Sequence, residues 1–197
     1  MDAGEWLNPP VDARADGDEL RVTTVRGSDF WRDTYYGFTR DTGHALLTGI
    51  AGSGSLEVDL RVDFAHLYDQ AGLMLRTDAQ TWLKAGVEIT DGVPHVGAVV
   101  THGESDWSLA PVPEWSGRVV TVRASWAQGA VTLRARAAGD PWRTIRLAPF
   151  RVEGSTRAGV YACSPERDRL VVTFTGARSG PPDPGLHSDP PPPTSAE

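Results

Sequence analysis

The sequence predicts an all-β fold, a sandwich or barrel of antiparallel strands, and three observations carry that prediction. Apolar and polar residues alternate with period two in segment after segment, turn-forming residues interrupt the chain at short intervals, and no long stretch shows the period of an amphipathic helix. Roughly ten short strands at this spacing imply a sandwich or barrel.

Leu20-Arg21-Val22-Thr23 alternates, and so does Leu56 through Asp63. Val119–Ser125, Val131–Arg136 and Leu170–Phe174 are short β-branched runs that read as further strands. Asp91-Gly92 stands between two apolar runs and predicts a tight hairpin. Gln128-Gly129, Gly139-Asp140-Pro141 and Glu153-Gly154 predict turns elsewhere. No internal repeat is present.

A length of 197 residues suits one domain plus a tail, long enough to bury a core without cross-links. Hydrophobic residues make up 40% and charged residues 23%, ordinary values for a globular chain. The formal net charge of -7 argues against nucleic acid and anionic membrane as partners, since both require basic patches. Cys163 is the one cysteine, so no disulfide can form within the chain, which fits a reducing compartment. Met1 to Asn8 lacks the apolar run of a signal peptide, and no stretch approaches the roughly 18 apolar residues of a membrane helix. The expected location is cytoplasmic. Composition shifts near Arg178, so the reading is a β-sandwich domain over 1–177 and a disordered Pro-rich tail over 178–197, including Pro190 to Pro193. Such a tail is either solvated or a polyproline ligand for a partner.

Successive strand residues face opposite sides of a sheet. In Gln70–Arg76, one face carries Gln70, Gly72, Met74 and Arg76, and the other carries Ala71, Leu73 and Leu75, which read as core. In Trp82–Thr90, one face carries Trp82, Lys84, Gly86 and Glu88, and the other Leu83, Ala85, Val87 and Ile89, again core. If these two segments pair across the loop Thr77–Thr81, then Lys84 and Glu88 share a surface with Gln70 and Arg76. Gly72 and Gly86 would leave space on it for a ligand. Lys84 is the single lysine among 19 basic residues. The alternative is a solvated sheet face bearing a weak surface ion pair. Trp82 favours the ligand reading, because a large aromatic on an open face suits a stacking partner.

Two further clusters mix aromatics with charges and hydroxyls. Ser28–Gly37 contains Asp29, Phe30, Trp31, Arg32, Tyr35 and Tyr36, and Gly103–Ser108, read as a loop, contains Asp106 and Trp107. Trp31, Tyr36 and Trp107 either stack on a ligand or cap the core, whereas Phe30 reads as core.

These stretches carry a family resemblance. Asp29-Phe30-Trp31-Arg32, Thr34–Phe38, Asp69–Met74, Trp82–Glu88, Val100-Thr101 and Ser105–Ser108, with Trp6-Leu7-Asn8-Pro9-Pro10 at the start, resemble domain-of-unknown-function family 1349, which has regulation-of-enolase-like members. The resemblance runs from about Trp6 to about Phe174. It implies an all-β, two-sheet antiparallel jelly-roll sandwich of the concanavalin A-like kind, folds that bind or cleave glycans on a concave sheet. The family has no settled activity. Motif positions carried over are Trp31, Gln70, Lys84, Glu88, Asp106 and Trp107.

Catalytic signatures are weak. Jelly-roll glucanases place their carboxyls on one strand as Glu-x-Asp-x-Glu or with one extra residue. Here Glu57-Val58-Asp59-Leu60 is followed by Arg61 and Val62, so Glu57 and Asp59 read as exposed strand residues. Glu88 could pair with Asp106 or Asp69 as acid and base. Cys163 reads as buried and structural. His44, His66, His95, His102 and His187 lack the spacing of a zinc site, and no loop has an acidic run for calcium. No metal and no cofactor are expected.

The function expected is binding of a carbohydrate or small polar metabolite by Trp31, Tyr36, Gln70, Arg76, Trp82, Lys84, Glu88, Asp106 and Trp107. The alternatives are a glycan-active hydrolase or lyase using Glu88, and a regulatory domain meeting a protein partner.

Overall fold

The computed structural model describes residues 4–191. In chain order the first strands are β1 (Glu5–Leu7), β2 (Asp12–Asp16), β3 (Glu19–Thr23), β4 (Phe30–Arg32), β5 (Thr39–Asp41) and β6 (His44–Gly49). Next come β7 (Gly54–Arg61), β8 (Gln70–Arg76), β9 (Thr81–Thr90), β10 (Val93–His102) and β11 (Glu104–Pro111). The last are β12 (Val119–Ala127), β13 (Ala130–Ala137), β14 (Arg143–Pro149), β15 (Arg157–Cys163) and β16 (Val171–Gly180). A single 3-10 turn, Pro113–Trp115, is the only helical element among the described residues.

The architecture is the predicted two-sheet antiparallel jelly-roll sandwich. One seven-stranded sheet runs β1-β6-β15-β8-β9-β10-β11 and the other β14-β13-β12-β7-β16-β3-β2. The short β4–β5 hairpin belongs to neither. Between the sheets lie the inward halves of the alternating strands: Val58 and Leu60, Leu73 and Leu75, Leu83 to Ile89 by twos, Val120 and Val122, Leu133, Val172 and Phe174. Their burial is the main stabilising term of the fold.

Turn chemistry sets the registers. Thr90 pairs with Val93, so Asp91 and Gly92 form a two-residue loop with φ of 51° and 77°. Gln128 and Gly129, at 53° and 75°, repeat the device between β12 and β13. Positive φ at both positions matches the twist of a hairpin. Gly103–Ser108, read from sequence as a loop, is instead a turn at Gly103 followed by edge strand β11, where Trp107 pairs with Val99. Its mixed polar sequence hides a strand exposed to water.

The outer face of the first sheet is not open to solvent. Phe30 and Trp31 of β4 pack over it against Met74, Trp82, Val99, Tyr161 and Cys163, forming a second apolar cluster. Every residue of β8 is buried.

The second sheet is covered by the chain's C-terminal segment. Glu57, Arg123 and Arg134 stand side by side on neighbouring strands. Arg123 donates to Glu57 at 2.6 Å and to Asp183 at 2.7 Å, and Arg134 donates to Asp183 at 3.0 Å. Arg134 also reaches the carbonyls of Gly185 and Leu186, and Ser55 reaches that of Pro181. Two expectations are thereby corrected. The sandwich does not end at 177, because β16 runs to Gly180 and residues 181–186 are strapped to the sheet by ion pairs that composition does not reveal; residues 192–197 of the expected tail lie outside the described residues. Nor is Glu57 exposed: it is buried beneath Arg123 and Arg178, while Asp59 accepts from Thr121 and Arg178.

Asp183 satisfies two arginines that are each 4% exposed. Asp183→Ala leaves both buried charges short of a partner and should cost about 3–5 kcal/mol in urea denaturation. A loss below about 1 kcal/mol would mean that the strap merely rests on the surface.

Candidate functional site

The β8 and β9 strands pair as their alternation suggested, with Gln70 opposite Glu88, Gly72 opposite Gly86, Met74 opposite Lys84 and Arg76 opposite Trp82. Lys84 is therefore four residues along the strand from the Gln70–Glu88 pair. Its ammonium nevertheless donates to Gln70 Oε1 at 2.6 Å and to Asp29 Oδ1 at 3.3 Å. The side chain must extend past the Gly72–Gly86 pair, which has no side chains to obstruct it. These glycines have a second role. A Cβ on Gly72 would lie 2.0 Å from the carbonyl oxygen of Ala85, and one on Gly86 2.0 Å from that of Ala71. They permit close strand approach and passage of Lys84, rather than leaving an empty floor for ligand.

Gln70 is oriented by its partners. Its amide donates toward Asp29 Oδ1 at 3.5 Å and to the carbonyl of Tyr68 at 3.3 Å, leaving Oε1 for Lys84. The Lys84 ammonium also sits 5.8 Å from the Tyr161 ring centroid, a favourable placement for a buried cation.

Glu88 is different. It is 9% exposed and makes no hydrogen bond or ion pair with a described residue. Burial pushes its carboxyl up from 4.5 to about 7; Lys84 opposes the shift and Asp29 adds to it. A buried carboxyl without a protein partner is costly, and such groups concentrate at functional sites.

Glu88, Lys84, Gln70 and Val99 form the base of a cavity of about 290 Å³. Trp31, Tyr36, Phe38, Tyr68 and Trp107 supply aromatic walls, and Asp29, Arg40 and Glu166 supply charge. Trp31 is fixed by donating its indole N–H to the Thr34 carbonyl at 3.0 Å. Tyr36 and Trp107 meet Trp31 edge-on, with centroids 5.6 and 6.1 Å away. Tyr36 and Tyr68 both line the cavity. The mouth thus has a rigid aromatic centre and two half-exposed flanks.

The comparisons with known proteins agree with this fold. Residues 6–182 match the family described as "Protein of unknown function (DUF1349)". The chain belongs to the DUF1349 family. This DUF1349 chain is 38% identical over 175 residues to "Regulation of enolase protein 1" of Saccharomyces cerevisiae, covering 89% of this chain and 88% of the relative. A crystal structure of a functionally unknown protein from Saccharomyces cerevisiae superposes with a TM-score of 0.86 at 37% identity, covering 91% of this chain and 96% of that one. More distant likenesses share the fold alone. The carbohydrate binding module CBM66 from Bacillus subtilis gives 0.59 at 11% identity, covering 91% of this chain and 97% of the module. A xylan β-1,4-xylosidase from Bacillus halodurans gives 0.63 at 15%, covering 82% of this chain but 32% of the enzyme.

Of the residues singled out in sequence, the DUF1349 chain gathers Trp31, Tyr36, Gln70, Lys84, Glu88 and Trp107 around the cavity. Three lie elsewhere. Arg76 is buried in a two-pronged ion pair with Asp41, both contacts 2.8 Å. Trp82, expected on an open face, is 1% exposed and packs on Phe30; the β4 segment that covers it is remote in sequence. Asp106 is exposed, pairs with Arg146 and lies outside this cavity. The suggested acid–base partners of Glu88 also stand apart from it: Asp69 is held by Arg167 at 2.9 and 3.0 Å.

Sequence reasoning left out Asp29, Phe38, Arg40, Tyr68 and Glu166. Asp29 and Phe38 stood within stretches that already drew attention. Tyr68 takes a positive φ of 60°, and nothing in its local pattern announces a site. Cys163 is fully buried and burial raises its thiol pKa, so it is no nucleophile. His44 accepts from the Val25 N–H at 3.0 Å and meets the Asn8 carbonyl at 2.7 Å, and burial lowers its pKa. Among the described residues, no group of three or more His, Cys, Asp or Glu could hold a metal. No helix among the described residues is long and apolar enough to cross a membrane.

Because the folded Glu88 binds its proton more tightly than the unfolded residue does, its carboxylate destabilises the fold increasingly as pH rises from about 4.5 through about 7. Glu88→Gln should therefore be more stable than wild type at pH 8, by up to about 3 kcal/mol, with the gain vanishing below about pH 4.5. Urea denaturation from pH 4 to pH 8 measures it. A variant less stable at pH 8 would show that the carboxylate is well held in the native protein.

Proposed function

We propose that this protein binds a carbohydrate or comparably small polar metabolite in the cavity over the β8–β9 pair. The observation that carries the reading is the buried Glu88 carboxyl, without a hydrogen bond, in a cavity also lined by aromatic side chains. A polar base that can hydrogen-bond hydroxyls, flanked by Trp31, Tyr36 and Trp107, suits a ligand with polar edges and an apolar face. The volume, at the low end for small-molecule sites, suits one compact unit. The fold likeness to a carbohydrate binding module that is nearly all matched by this chain supports the same reading. A cytoplasmic setting accords with the single, buried thiol.

A second reading is that the site acts on its ligand, with Glu88 as general acid or base. Its carboxyl near 7 favours this, since proton transfer is most effective near the working pH. Against glycoside hydrolysis, Asp29 is already bound to Lys84 and Gln70, leaving no evident second free carboxyl at the base of the cavity. A regulatory role through a protein partner draws support from the relative's description and from Tyr35, 94% exposed beside the cavity mouth.

Thermal shifts against mono- and oligosaccharides and sugar phosphates test the binding reading. Ligand at about 100 times its Kd should add roughly 2.7 kcal/mol. The shift should disappear in Glu88→Gln and in Lys84→Met. No hit across the panel, with both variants folded, would turn attention to protein partners.

A further inference from the structure

We propose that the ligand of this cavity presents a compact organic cation, a substituted ammonium group, seated against Glu88 between the aromatic walls. The inference rests on the reading that the cavity is a ligand site, and it names the chemistry that reading leaves open.

The charges that line the cavity do not balance. Asp29, Glu88 and Glu166 face Lys84 and Arg40, one acid more than base. The imbalance is localised. Lys84 is committed to Asp29 and Gln70 by contacts of 3.3 and 2.6 Å. Arg40 and Glu166 are exposed at the rim, and the Arg40 guanidinium lies over the Phe38 ring, 5.2 Å from its centroid. That leaves Glu88 as the buried carboxyl with no hydrogen bond or close ion pair of its own, felt by Lys84 only at longer range.

The aromatic residues lining the same cavity are Trp31, Tyr36, Phe38, Tyr68 and Trp107. Aromatic faces carry negative potential and attract cations, most strongly where water is excluded. A neutral sugar would need one or two such surfaces for stacking. Here five line the same cavity as a single buried carboxylate, with Trp31 buried and Tyr36, Phe38 and Trp107 part open to water, an arrangement that suits an alkylated ammonium: the rings take its methyl or methylene surface and the carboxylate takes its charge. A cation there would also supply the partner that Glu88 lacks, so binding would offset part of the cost of burying the acid.

Choline and tetramethylammonium are suitable probes, with 3,3-dimethyl-1-butanol as the neutral isostere of choline. Binding to the full chain is measured by calorimetry and thermal shift at pH 8 and low salt. Choline should bind at least tenfold more tightly than the isostere, and Glu88→Gln should remove most of that difference. Trp31→Ala should weaken both ligands, since it removes wall and not charge. Equal affinity for choline and its isostere overturns the proposal, and so does a choline affinity unchanged in Glu88→Gln. The comparison of choline with its isostere on wild type needs no variant to fold. Glu88-dependent binding of a neutral saccharide with no response to either cation overturns this inference and leaves the ligand-site reading standing. Silence toward cations and saccharides alike defeats both.

Discussion

The outer face of the first sheet is roofed by the chain that carries Phe30 and Trp31, and that burial governs everything placed on the face. A polar group there has left water and must find a partner within the protein. Arg76 finds Asp41, and Lys84 finds Gln70 and Asp29. At the face's edge, His44 bridges the Val25 amide and the Asn8 carbonyl. Against this background of satisfied groups Glu88 stands out, because the same desolvation that forces pairing elsewhere leaves it with an elevated pKa and no hydrogen bond.

The second sheet shows what the alternative looks like. Its outer face carries as many charges, and a strap from the C-terminal segment closes over them. Glu57, Arg123, Arg134 and Asp183 form a continuous network in which each charge has an opposite neighbour. The charges of that network are paired without a ligand. The first face, built from the same period-two alternation, stops one partner short and keeps a cavity above the gap. Two sheets with similar patterning thus divide into a structural face and a candidate functional one, and the difference lies in what the flanking segments bring to each.

Legibility in the sequence followed how local each interaction is. The inward halves of β8 and β9, the hairpins at Asp91-Gly92 and Gln128-Gly129, and the shared face of Gln70, Lys84 and Glu88 depend on residues near in sequence and on strict alternation. The same alternation could not tell an open face from a covered one, so Trp82 and Arg76 read as available although each is engaged by a residue more than thirty positions away. Composition likewise made 178–197 look like a tail, because proline and glycine mask Asp183, whose carboxylate pairs the strap with Arg123 and Arg134.

The sequence by itself determined the all-β sandwich, the family and which side chains share the outer surface of β8 and β9, since these follow from periodicity, turn chemistry and contiguous motifs. Only the tertiary structure decided that the surface is buried, that Lys84 is spent on Asp29 while Glu88 is not, and that Phe38, Tyr68 and Glu166 join the cavity. Those outcomes depend on contacts between segments far apart in the chain, and a charge becomes expensive enough to matter only once distant residues have displaced its water.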